Sequence, residues 1–116
     1  MSPRSSALAA ILALGLLAPA SAAAKSCNVQ RDADEYGVSY ITSLKVTGVG
    51  CPGGKKVVRA FHKCRKANGG IKGRCTSKVL SYSCTEQRSS IKTQITGKVT
   101  CRNGSKRVIH TYTQFT

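Results

Sequence analysis

The sequence predicts an α+β domain in which one helix packs on a small antiparallel β-sheet, an N-terminal strand plus a three-strand meander, stapled by disulfides. Three observations predict it. Apolar and polar residues alternate over several short segments, the pattern of half-buried strands. A single run, residues 55–67, places its apolar residues at helical spacing instead. Six cysteines, Cys27, Cys51, Cys64, Cys75, Cys84 and Cys101, follow a leader of the secretory kind and contain no CxxC pair, which reads as a disulfide framework rather than a metal site.

Residues 1–22 read as a signal peptide. Arg4 supplies the charged start, residues 7–17 are apolar, and Ala18, Ala20 and Ala22 are the small residues that precede cleavage after Ala22 or Ala24. The apolar run is too short to span a bilayer, so a secreted product with no transmembrane segment is expected. Residues 23–35 read as a mobile N-terminal tail pinned by Cys27, in which Asp32, Asp34 and Glu35 form either a solvated patch or an intramolecular partner for the basic helix. Residues 36–116 form the single α+β domain. Ordering costs about 1.5 kcal/mol per residue, which apolar burial in so small a chain only roughly cancels, so covalent staples are expected. Each disulfide contributes about 2–4 kcal/mol, largely by restricting the unfolded chain.

Within the domain, Val38, Tyr40, Leu44 and Val46 mark the first strand, ended by Gly48 and Gly50. Pro52 suits the first turn of the following helix. At 100° per residue Val57, Ala60, Phe61 and Cys64 share one face, whereas Lys55, Lys56, Arg59, Lys63 and Lys66 lie opposite, with His62 on the polar side. Asn68, Gly69 and Gly70 supply the stop. An inward Cys64 predicts a disulfide from helix to sheet. Residues 79–85 then alternate Leu80, Tyr82 and Cys84 with polar residues, and residues 94–102 alternate Ile95, Gly97, Val99 and Cys101 in the same way. Asn103 and Gly104 close a hairpin to a strand over 107–114. A two-residue turn there pairs Val99 with Val108 and turns His110 and Tyr112 inward; a three-residue loop pairs Val99 with Ile109 and reverses both. The second face of the sheet is expected to be open to water and to carry Lys92, Thr96, Lys98, Thr100 and Arg102.

Charge is the chief chemical anomaly: 19 Lys and Arg against four Asp and Glu give a net +15. Such a field attracts phosphates, anionic lipid and acidic wall polymers. Basic residues concentrate between Lys55 and Lys78. The stripe of Lys55, Arg59, Lys63 and Lys66, extended by Lys72 and Arg74, is the candidate binding surface for an anionic polymer through counterion release.

Certain local patterns here resemble those of small exported cysteine-containing α+β proteins of high-GC Gram-positive bacteria. Cys51 precedes a Val-Val-Arg-Ala helix at residues 57–60, a Gly-x-Cys follows at 73–75, and a Cys-x-x-Gly-x-x-x-Val strand pair closes at 101–108. The resemblance covers the last two thirds of the chain after residue 22, implies export and this fold, and implies no activity. Cys27, Cys64 and Cys84 are additional to its pattern.

Two other functional classes use the same residues. His62 and His110 are the only histidines, and a ribonuclease-like hydrolase uses two imidazoles as acid and base beside a lysine. A protease inhibitor would present Lys72 or Arg74 on a stiffened loop over residues 69–75. The chain carries no GxSxG, HExxH or glycine-rich phosphate loop, and no cofactor or metal is expected.

Overall fold

The computed structural model describes residues 23–29 and 35–116; the signal-peptide reading of 1–22 and the acids Asp32 and Asp34 fall outside them. The strands are β1 (Lys25–Ser26), β2 (Tyr40–Thr47), β3 (Ser83–Ile91), β4 (Gln94–Asn103) and β5 (Lys106–Phe115), with one helix, α1 (Cys51–Ala67), between β2 and β3. The strands form one sheet in the order β1-β2-β5-β4-β3. Every neighbouring pair is antiparallel. Because β2 lies beside β5 while β3 is the far edge, the chain must cross the sheet between them, and α1 covers one face on the way. The residues expected to be a tail are partly built in: Lys25 and Ser26 pair with Val46 and Lys45.

α1 begins at Cys51, just after Gly50, with Pro52 in its first turn, where a missing N–H costs nothing. Its buried face comprises Gly54, Val57, Val58, Phe61, His62 and Arg65. That stripe is rotated from the one expected, because Ala60 and Cys64 are only half-buried. Gly54 sets the approach of helix to sheet, since a Cβ there would overlap Val46 Cγ1.

The β4–β5 hairpin turns on Gly104 and Ser105, with Asn103 opposite Lys106 and Val99 opposite His110. Neither expected register occurs, although His110 and Tyr112 do face inward as in the two-residue alternative. Gly104 takes the positive φ of 60° at the first turn position. This register pairs the whole of β4 with the whole of β5. The strand expected from Val79 starts only at Ser83. Val79 and Tyr82 bond to each other across a tight turn whose central residues, Leu80 and Ser81, have φ of 49° and 70°.

Three disulfides join Cys27 to Cys51, Cys64 to Cys75, and Cys84 to Cys101. The second does not reach the sheet as expected: Cys75 belongs to the loop after α1, so it closes that loop on the last helical turns. The first clips the start of the helix to the N-terminal segment, and the third bridges directly opposed residues of β3 and β4.

The covered face of the sheet has two halves. Leu44, Val46, Val99, Cys101 and Val108 lie under the first turns of the helix and are buried. Toward its C-terminal end the inward residues are His110, Tyr112, Gln114, Glu86 and Arg88. Gly97 sits in the ladder between Arg88 and Tyr112, and their side chains meet in the space its missing Cβ leaves. Gly97→Ala would drive a methyl into the Tyr112 ring and to 2.9 Å from Glu86 Oε2. It should lower stability by about 1–3 kcal/mol, read as a drop in the urea midpoint with an unchanged m-value.

Candidate functional site

The two histidines meet inside the molecule. His62 Nε2 lies 2.9 Å from His110 Nε2, and both residues are fully buried. Arg65, one helical turn beyond His62, donates from Nε to His62 Nδ1 at 3.1 Å. The proton of His62 is therefore on Nε2 and is donated to His110 Nε2, which leaves the proton of His110 on Nδ1. That Nδ1–H has no hydrogen-bond partner among the described residues. Phe61 and Tyr112 close the rings in, with Tyr112 edge-on to His62 at 4.6 Å between centroids.

Burial holds both imidazoles neutral. His110 is lowered from 6.5 to about 3, by burial first and then by the Arg65 cation. His62 is lowered further, by burial and then by His110 and Arg65. A general acid–base pair needs imidazoles that titrate near the working pH and reach the substrate. These do neither, so the geometry runs against the ribonuclease-like expectation; the placement of His62 on the polar side of the helix is corrected with it.

The residues that organise this interior escaped the sequence reading. Arg65 donates to the carbonyl of Ile71 and, from its second terminal nitrogen, to Gln114 Oε1 at 3.0 Å, while its guanidinium lies 5.1 Å from the Tyr112 ring centre. Glu86 accepts from Tyr112 Oη at 2.5 Å and from Arg88 Nε at 2.7 Å. Arg88 in turn donates to the carbonyls of Lys72 at 2.9 Å and Gly73 at 2.7 Å. Tyr112 is raised from 10.0 to about 12 by burial and by its bond to Glu86. One signal for the cluster was present: Phe61, His62 and Arg65 share a helical face, and Cys84, Glu86 and Arg88 share a strand face.

Consequently the loop over residues 69–75 is tied down at several points. The Cys64–Cys75 disulfide closes it, and three successive carbonyls, of Ile71, Lys72 and Gly73, turn inward onto arginines. Lys72 and Arg74 remain exposed.

On the outer surface of α1 the exposed ridge is Lys56, Lys63 and Lys66, with Arg59 half-buried between them. Lys55, expected to head the stripe, is half-buried on its flank. Arg59 Nη1 is 3.9 Å from Glu35, a long contact between largely exposed side chains, and its guanidinium is 5.7 Å from the ring centre of Tyr36. Lys72 and Arg74 lie on the loop after α1, which folds back so tightly that a Cβ on Gly73 would overlap the carbonyl of Arg65. No group of His, Cys, Asp and Glu among the described residues could hold a metal ion. Comparisons with protein families, with characterised proteins and with solved structures gave no match.

The buried histidines set the response to acid. In the unfolded chain each titrates near 6.5, whereas His110 in the fold does so at about 3. Between those values the unfolded chain binds more protons, so this stability is fully present above about pH 6.5 and is lost as the pH falls toward 3. The urea midpoint should fall clearly between about pH 7 and about pH 4. An unmoved midpoint would contradict a buried neutral pair.

Proposed function

We propose that the chain is an exported, non-enzymatic module that binds anionic polymers through the outer ridge of its helix and through lysines of its strands. The observation that carries this reading is where the acids go. Of the two described, Glu86 is buried against Arg88 and Tyr112, and Glu35 pairs with Arg59. Among the described residues no carboxylate remains to neutralise Lys56, Lys63, Lys66, Lys72 and Arg74, which are all exposed. Uncompensated surface charge raises the local concentration of anionic ligands and releases their counterions on contact.

Export is supported by the leader pattern of residues 1–22 and by three disulfides, bonds that persist in oxidising surroundings. No helix among the described residues is long and apolar enough to cross a membrane.

The test is charge reversal on the ridge. Lys56→Glu, Lys63→Glu and Lys66→Glu together should remove retention on phosphocellulose or heparin at moderate salt. For duplex DNA, the dependence of log affinity on log salt should become shallower by about 0.9 for each phosphate that the variant no longer neutralises. All three side chains are exposed, so stability from urea unfolding should stay within about 0.5 kcal/mol of wild type. Unchanged elution would remove the proposal.

A further inference from the structure

We propose that the open face of the sheet, the side away from α1, binds single-stranded nucleic acid, with bases stacking on Tyr40 and Phe115 and phosphates held by Lys98, Lys45, Arg102 and Arg107. The inference rests on the anionic-polymer reading for the sign of the ligand's charge and adds the ligand's class.

The aromatic residues come first. Most large apolar side chains are in the core, yet Tyr40 and Phe115 are 52% and 51% exposed, and their rings meet edge to face at 5.5 Å. They lie at one end of the open face, with Ile91, 67% exposed, on the same row through Gln94. Half-exposed rings offer a platform that any base can use, because every base has a π-face.

The charges follow along the strands. In the ladder Lys98 lies opposite Thr111, Lys45 opposite Ile109, and Arg102 opposite Arg107. These are successive outward rows, about 7 Å apart along the strands, with Lys98 and Arg102 on β4 and Lys45 across β5 on β2, so the cations are spread over the width of the face as well as along it. Neither described acid is on this face, since Glu86 points inward and Glu35 pairs with the helix. The face is therefore complementary in charge to a polyanion along its length.

Hydroxyl donors complete the surface. A β-bulge between Ile41 and Ser43 leaves Thr42 and Ser43 both exposed on either side of Thr111. Their hydroxyls are 2.5 and 2.6 Å from Thr111 Oγ1. Bulges re-aim side chains in this way. Beside them a shallow groove is lined by Gln87, Ser89, Thr96, Lys98 and Thr111, residues suited to phosphate and sugar oxygens. Pure charge binding would require no aromatic pair, whereas unstacked bases can use one.

The experiment uses the disulfide-intact chain and fluorescence anisotropy with a labelled oligothymidylate, competed by inorganic polyphosphate of equal charge and by heparin. The double variant Tyr40→Ala, Phe115→Ala should weaken oligothymidylate binding about fivefold or more and leave polyphosphate binding unchanged, with Tyr40→Phe retaining affinity. Lys98→Glu with Arg102→Glu should weaken both. Equal losses for oligothymidylate and polyphosphate in the aromatic variant, or wild-type binding that does not distinguish them, would overturn this inference and leave the anionic-polymer reading standing. A loss confined to heparin would overturn it in favour of a glycan. Absence of binding to all three would overturn both.

Discussion

A buried guanidinium is the constraint on which the rest of this structure depends. Arg65 is fully buried on the inner face of the helix, and the groups that receive it are neutral: an imidazole nitrogen, a backbone carbonyl, an amide oxygen and the face of an aromatic ring. Removing a cation from water costs several kcal/mol unless such dipoles replace the water. Each replacement fixes something else. Accepting from Arg65 fixes the tautomer of His62, hence that of His110, and makes a proton on either ring unfavourable. Donation to Ile71 pulls the loop after the helix over the end of the sheet. Gln114 anchors the last strand. Arg88 performs the same service from the edge strand β3, two strands further out, with Glu86 compensating its charge, and so two guanidinium groups support a loop that has no apolar core of its own.

Periodicity made the frame legible. The helix over 55–67, the β4–β5 hairpin and the first strand follow from apolar spacing, and three of the four expected strands lie within two or three residues of their expected bounds. The polar half of the interior was not legible, because hydropathy assigns His62, Arg65, Glu86 and Arg88 to the surface and only their mutual bonding makes burial tolerable. Including Arg65 rotates the helical stripe, which is why Lys56 rather than Lys55 stands on the outer ridge. At residues 79–82 alternation misled for another reason. Leu80 and Ser81 hold positive φ, a conformation that side-chain patterns do not encode and that these residue types seldom adopt. Disulfide pairing was equally beyond the sequence, since an inward cysteine on the helix can reach either the sheet or the following loop and spacing favours neither.

The same polar interior shapes the exterior charge. Glu86, the one acid of the meander, is withdrawn into the core, and Glu35 is held by Arg59 at the helix. Burying an acid beside an arginine leaves net charge unchanged but moves neutralisation out of reach of the surface. The lysines of the helical ridge and of the open sheet face therefore act on solvent and ligand with little opposition from the described residues. In a domain so small, self-repulsion among them works against compactness, and three disulfides restrict the unfolded state that such repulsion favours.

The two basic surfaces are different in kind because the sheet separates them. On the helix the cations stand on long side chains along one outer ridge, an arrangement that reads charge density and little else. On the open face they are set by strand register, beside hydroxyls and an aromatic pair whose positions are fixed by the ladder. On the proposed reading, affinity at the first surface would be governed by salt, whereas stacking at the second would persist when salt has screened the charges. On that proposal a polymer that carries both phosphates and rings would engage the open face in both ways at once. One that carries charge alone would gain nothing there that the helix does not already offer.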